Sequence, residues 1–382
     1  MQKTRIAIVG GGLSGLYAAW LLEQNGITDY VLLEARQRLG GRILSPIVNG
    51  ALDAEHTADR VDLGPSWFWP DYQPQLDRLV RELGLVRFEQ VEDGDMMVEH
   101  SPRDAPIRRR GFRNVPTSMR LLGGMAALVT ALADKLDATR RHTGHVVRSI
   151  SLQQDHIVMD CRTDTGAICW QAEHVLLAIP PRLAVSNLSF SPSLPTPQMA
   201  QWQATATWMA PHAKYVAVYA QPFWHTAGLS GEARSMVGPL GEIHDASMPE
   251  GSAALFGFFQ WPAMSRQAIP VAELKQRCRQ QLARIFGPQA AHPLAEFIQD
   301  WALDDYTATA ADLHSVPQHA AAPPADVDTG LWKHRITGIA SEWSPSYPGY
   351  VAGAIEAAGN GVDAWLARSG ERAGLELQVL NP

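Results

Sequence analysis

Ile6-Ala7-Ile8-Val9-Gly10-Gly11-Gly12-Leu13-Ser14-Gly15 decides the fold, and Tyr30-Val31-Leu32-Leu33-Glu34 closes the unit it starts. The order reads as strand, glycine turn, helix from Ser14 to about Gln24, second strand and acid, the fingerprint of dinucleotide binding. Gly10 allows the tight turn, Gly12 lets the backbone approach a diphosphate, and Gly15 lets helix and strand pack closely. Leu13, Ser14 and Gly15 open the helix, whose free N–H groups and dipole favour negative charge. Glu34 is placed to accept hydrogen bonds from an adenosine ribose. A turn serving only chain reversal accounts for neither the third glycine nor the acid. By itself the fingerprint suits NAD as well as FAD.

Working outward, 382 residues suffice for two packed domains. Hydrophobic content of 46% with 19% charged is that of a globular enzyme, and a net charge of −7 argues against a general nucleic-acid binder. No apolar run approaches a membrane span, and the first strand starts close to Met1, so the expectation is a cytoplasmic protein without a signal peptide. Cys161 and Cys169 flank a Thr163-Asp164-Thr165-Gly166 turn and could face each other across a hairpin; two half-buried thiols in a reducing compartment is the preferred reading. Neither the three cysteines nor the 13 histidines show metal-ligand spacing, so no metal is expected.

Leu39-Gly40-Gly41-Arg42 brings a second glycine pair beside arginines, either phosphate-neutralising or solvated. Asp62-Leu63-Gly64-Pro65-Ser66-Trp67 is another glycine-bearing turn. Helical spacing runs from Gln73 to Leu85, after Gly123-Gly124-Met125, from Val271 to Phe286, and after Gly349 to about Ala367. Val146–Ile150, Ile157–Cys161 and Ala167–Ala172 read as strands. His174 to Pro181 reads as a buried strand of a doubly wound sheet, Lys214–Tyr219 and Ala254–Trp261 as further strands, and Ala320–Asp328 as a loop.

These motifs, taken in order, resemble the flavin-containing amine oxidase family, the group of monoamine oxidases and amino acid oxidases. The resemblance rests on Gly10–Gly15, Leu33-Glu34-Ala35-Arg36, Gly40-Gly41-Arg42, Asp62-x-Gly64-x-x-Trp67, Gly123-Gly124-Met125 and Val175–Pro181. Lys214 ahead of Pro222-Phe223-Trp224, Trp301 with Tyr306, and Gly349-Tyr350-Val351-x-Gly353-Ala354-Ile355 complete it. Residues 70–120 match almost nothing. The resemblance implies an α/β fold: a Rossmann-type FAD-binding domain of the GR2-like flavoprotein kind with an interleaved, reduced α+β substrate domain. Residues 1–69, 118–190 and 331–382 would hold FAD, and 70–117 with 191–330 the substrate.

On the same basis Glu34, Ala35 and Arg36 would hold the adenosine side, Gly41 and Arg42 the ribose or diphosphate, and Val147 the adenine. Gly64, Pro65, Ser66 and Trp67 would approach the flavin, Trp301 would stack near it, and Glu342 would meet the diphosphate end. Gly349, Tyr350 and Val351 would lie at the ring, with a helix amino terminus stabilising its reduced form. Lys214, one of five lysines, opens an apolar strand; the resemblance gives it a water-mediated contact to flavin N5, against a lysine snorkelling to solvent. Tyr350 would be one wall of an aromatic cage.

The chain departs from the family at Ala310 and Ala311, which fall where monoamine oxidases carry the flavin-linking cysteine and second cage tyrosine. Non-covalent FAD is therefore expected. Phe259, Trp261, Trp343 and Tyr347 are candidate replacement walls, or core. The Trp67–Gly123 stretch is short, implying a wider mouth, and Arg108-Arg109-Arg110 within it is either a solvated loop or an anion-attracting rim.

The implied chemistry is oxidation of an amine C–N bond by hydride transfer to flavin, hydrolysis of the imine, and reoxidation by oxygen, giving hydrogen peroxide, or by an electron acceptor. An L-amino acid oxidase is an alternative, with Arg81, Arg87 or the 108–110 cluster meeting the carboxylate. So is a desaturase or porphyrinogen-type oxidoreductase, or a flavin-binding assembly protein with little turnover.

Overall fold

The computed structural model describes residues 1–48, 59–314 and 321–371; Ala320, the start of the expected 320–328 loop, lies outside them. The chain forms two compact units, one from residues 1–41, 128–209 and the described residues beyond His314, the other from the described residues of 42–127 and 210–314. The expected flavin-binding segments are a functional partition and do not coincide with these units, since 42–69 and 118–127 belong to the second.

The first unit is built on a parallel sheet in the order Ile336–Gly338, His174–Leu177, Ile6–Val9, Tyr30–Leu33, Arg141–His142. Its inner strands are buried at every position. Continuous apolar runs such as Ile6–Val9 arise because a parallel sheet is covered on both faces. Helix Leu13–Gln24 follows the glycine turn and packs along helix Val351–Ser369. A second sheet joins Gln2–Lys3, Gly166–Ala172, His156–Thr163, Val146–Gln153 and Ser189–Ser191. One apolar core serves both sheets and includes Trp202, Trp332 and Trp343.

In that second sheet Cys169 stands opposite Asp160, and Cys161 opposite Ile168. Neighbouring register positions point to opposite faces. Cys161 is accordingly buried and Cys169 half-buried with its thiol donating to Asp160, and both are free. The strand expected over His174–Pro181 stops at Leu177; Pro181 starts a short helix, Pro181–Asn187, as its fixed φ suits a first helical position.

The second unit carries a seven-stranded sheet in the order Ala295–Asp300, Ala213–Tyr219, Ala253–Phe259, Leu240–Asp245, Leu229–Ser235, Asp95–Glu99, Ile107–Arg109. The Ala213–Tyr219 strand shows why the sheet has two cores. Ala213, Tyr215, Ala217 and Tyr219 face helix Val271–Phe286 through its Leu274, Cys278, Leu282 and Ile285. The alternate positions Val216 and Val218 join Val61, Leu63, Ala254 and Phe256 on the other face. Lys214 shares that second face by the period of two.

Candidate active site

In the first unit the fingerprint is knotted by backbone bonds. Gly10 donates to the Leu33 carbonyl at 2.8 Å, and Gly40 to the Gly11 carbonyl at 2.8 Å. The Glu34 carboxylate, 3% exposed, accepts from the Gly11 N–H at 2.6 Å and the Arg36 N–H at 2.8 Å. The Arg36 guanidinium lies 3.7 Å from the same carboxylate. The glutamate therefore braces the turn. Gly15 is forced to be glycine, since a Cβ there would stand 2.0 Å from the Gly10 carbonyl oxygen. A Cβ on Gly12 would meet only the Gly41 Cα, at 3.9 Å, so these two glycines leave a backbone-lined surface. Gly12 caps helix Leu13–Gln24 without any side-chain hydrogen bond, and Ser14 is buried in its first turn.

Val147 is buried in strand Val146–Gln153, two residues before the pairing with Ser189–Ser191 begins. Glu342, 2% exposed, accepts from the Ser341 hydroxyl at 3.1 Å, and the Ser341 carbonyl accepts from the Gly349 N–H at 3.1 Å. Gly349 has φ +84°, and Tyr350, 37% exposed, caps helix Val351–Ser369.

In the second unit the Lys214 ammonium is buried, donating to the Ser66 hydroxyl at 2.7 Å and the Gly64 carbonyl at 3.1 Å. It lies 3.9 Å from the Phe256 ring centroid and 5.6 Å from that of Phe258. Desolvation pushes its pKa down to about 7; nearby Asp62 opposes the shift and Arg120 adds to it. Snorkelling to solvent is excluded.

Asp62 anchors two motifs, its Oδ1 accepting from the Ser45 hydroxyl at 2.6 Å and from the Met125 N–H at 2.9 Å. Gly64 lies against the Arg42 carbonyl, where a Cβ would overlap at 2.1 Å, with Pro65 next in the turn. Trp67 donates to Gln90 at 2.7 Å and packs edge-on to His244 at 4.9 Å. Trp301, 6% exposed, donates its indole N–H to the Leu63 carbonyl at 3.2 Å.

Several sequence alternatives resolve to structural roles. Phe259 and Trp343 are core residues, and Trp261 packs on the helix-side core beneath Arg277. Arg81 and Arg87 both bind Asp77. Arg108 holds Asp95 and the carbonyls of Ala227 and Gly228, tying the sheet edge to a turn. Arg120 escaped the sequence reading: its guanidinium is buried and donates to the carbonyls of Ala246 and Ser247. No local pattern marks it, because Met119-Arg120-Leu121 looks like any short strand.

The family model described as flavin containing amine oxidoreductase matches residues 99–364, and that described as NAD(P)-binding Rossmann-like domain matches residues 8–83. The chain belongs to the flavin-containing amine oxidoreductase family. It is 28% identical to the "Probable flavin-containing monoamine oxidase A" of Dictyostelium discoideum, over 62% of this chain and 51% of that one. The chain thus spans about half the length of that relative. It is 24% identical to the putrescine oxidase of Kocuria rosea, over 79% of this chain and 83% of the relative. A solved putrescine oxidase variant shares the fold at TM-score 0.78 and 22% identity, covering 96% of this chain and 99% of that one.

The first unit fits the cofactor. The open Gly12–Gly41 surface, the uncapped helix amino end and the buried Glu34 carboxylate suit a diphosphate and a ribose. Among the described residues no helix is long and apolar enough to cross a membrane, and no cluster of His, Cys, Asp and Glu could hold a metal ion.

Proposed function

We propose that the protein oxidises the C–N bond of a small amine, holding FAD non-covalently. The chemistry that bound FAD would supply is acceptance of a hydride equivalent from the carbon bearing the nitrogen, with the two electrons passing on to oxygen or another acceptor and the imine hydrolysed in water. Gly10, Gly12, Leu13, Ser14, Gly15 and Gly41 would seat the diphosphate. Glu34, Ala35, Arg36 and Val147 would hold the adenosine, and Arg42 and Glu342 the diphosphate from their own segments. Gly64, Pro65, Ser66, Trp67, Trp301, Gly349 and Val351 would border the ring, and Tyr350 would orient the amine. Residues 70–117 and 191–330 would supply the substrate side.

Lys214 is the observation that carries the reading. A buried ammonium whose hydrogen-bond partners are both neutral is costly, and such strongly shifted groups concentrate at functional sites. Poised near neutrality, it can hold or release a proton, and its charge favours negative charge developing nearby. The pairing of Arg81 and Arg87 with Asp77 removes two candidate binders of an amino acid carboxylate. A cytoplasmic location is part of the proposal, supported by the three free cysteines.

The test is anaerobic titration of the purified yellow protein with amines and with the matching amino acids, followed by admission of oxygen and a peroxide assay. Bleaching by amines, with peroxide on reoxidation, is expected. Bleaching by amino acids alone would transfer the activity to amino acid oxidation, and a protein unable to take up FAD would overturn the reading.

A further inference from the structure

Asp62 and Arg120 are buried charges that the amine-oxidising reading leaves without a part in the chemistry. They are 4% and 1% exposed, against 2% for Lys214. One turn joins all three. Lys214 donates to Gly64 and Ser66, just beyond Asp62 in the chain, and Val61 and Leu63 share a core with Val216 and Val218. Past Ser66, Phe68 exchanges backbone hydrogen bonds of 3.0 and 2.8 Å with Met119, the neighbour of Arg120.

Both side chains keep an unpaired atom among the described residues. Asp62 accepts from Ser45 and Met125 through Oδ1, while its Oδ2 has no hydrogen-bond partner. Arg120 donates through its terminal nitrogens to the carbonyls of Ala246 and Ser247, while its Nε has none. Buried charges held in this way act on a neighbour through their fields, which an interior screens far less than water does.

The strands packed around Lys214 leave its charge to these two residues. Ala253–Phe259 brings only Phe256 and Phe258. Ala295–Asp300 sets neutral Gln299 opposite Lys214, and its Glu296 and Asp300 are held by Arg279 and Arg266. On Leu240–Asp245, His244 lies 3.7 Å from Glu242, and Asp245 is engaged by Trp224, His225 and Ser247. Asp62 favours the Lys214 ammonium and Arg120 opposes it. Asp62 also acts on Arg120, together with Asp245.

We propose that Asp62 and Arg120 are opposed positioning residues acting through Lys214: the carboxylate keeps the ammonium charged, the guanidinium favours its neutral form, and their balance sets the pH above which Lys214 no longer assists reoxidation by oxygen. In that step two electrons and two protons pass to oxygen, giving hydrogen peroxide, and an ammonium favours the negative charge arriving on oxygen. The link to reoxidation rests on the amine-oxidising reading above, whereas the charge balance does not.

The test is the titration of Lys214 itself, followed by NMR on protein isotope-labelled at lysine Cε, with Lys214→Met assigning its signal among the five lysines. Asp62→Asn should lower the midpoint by about one pH unit and Arg120→Gln should raise it by a similar amount. Arg120→Lys keeps the charge and should restore the wild-type midpoint. Reoxidation of the photoreduced, FAD-loaded protein, followed against pH by the return of the flavin band, should shift in the same directions. Midpoints that stay put, or that Asp62→Asn and Arg120→Gln move the same way, would overturn the charge balance. If Asp62→Asn does not fold, Arg120→Gln against Arg120→Lys decides alone. A lysine midpoint that moves without the reoxidation profile would overturn the link to reoxidation. A protein that takes up no FAD would overturn the amine-oxidising reading, and the lysine titration would still decide the charge balance.

Discussion

The glycine turn of the first unit and the Lys214 strand of the second are built by opposite means. At Gly10–Gly15 the working groups are backbone N–H and C=O, and side chains matter mostly by being absent. At Lys214 the working group is one buried side chain, held by Ser66 and Gly64 over Phe256, its proton affinity lowered mainly by burial, with Asp62 opposing and Arg120 adding to the shift. The first arrangement is local in sequence and tolerates no added atoms at Gly10, Gly11 and Gly15. The second draws on residues far apart in the chain and is sensitive to charge.

The sharpest way to break the comparison is Gly15→Val. Its Cβ would overlap the Gly10 carbonyl oxygen at 2.0 Å, and two methyl groups follow it. A loss on the order of 5 kcal/mol or more is expected, comparable with the whole stability of many domains. Retention of wild-type melting temperature and of the 450 nm flavin band would show that the backbone turn is not the tight element described.

Lys214→Met tests the charge-sensitive side. Since burial holds the native pKa at about 7, the unfolded chain binds the extra proton between there and the ordinary 10.5. Stability therefore rises with pH across that window, and the full burial penalty, up to about 5 kcal/mol, applies below it. The variant should escape this slope, so denaturant titrations at pH 6 and pH 10 should show it gaining on the wild type at pH 6. It should also slow reoxidation by oxygen more than flavin reduction by amine. Parallel stability profiles would refute the buried-cation account.

A smaller effect distinguishes the first unit. His174, buried in the central strand, has its pKa lowered to about 4, mainly by burial. Nδ1 donates to the His334 carbonyl at 3.0 Å, and Nε2 lies 3.1 Å from the Thr337 hydroxyl. Protons bound by the unfolded chain from about pH 6.5 downward are refused by the native one until about pH 4. Roughly 3 kcal/mol is lost across that window as pH falls. His174→Gln should flatten this acid limb in urea titrations, leaving the alkaline limb to Lys214.

Legibility followed the range of the interactions. Helix Val271–Phe286 matches its expected bounds because its apolar stripe repeats at helical spacing. Strand Leu229–Ser235 was missed because Ser230, Glu232 and Ser235 are buried polar residues that erase any alternation. Arg108 looked like a free cation until the turn at Ala227–Gly228, over a hundred residues away, supplied its acceptors. Asp62 was legible as part of a motif, while its grip on Ser45 and Met125 was not.

The amino-acid sequence by itself determined the nucleotide end of the protein. A strand, a glycine turn, a helix and an acid act through backbone geometry that a few consecutive residues impose. The tertiary structure decided the rest: that Lys214 is a buried cation on Ser66 and Gly64, and that Phe259 and Trp343 are core. Burial, proton affinity and aromatic contact depend on which distant segments close over a residue, and no local pattern of residue types encodes that.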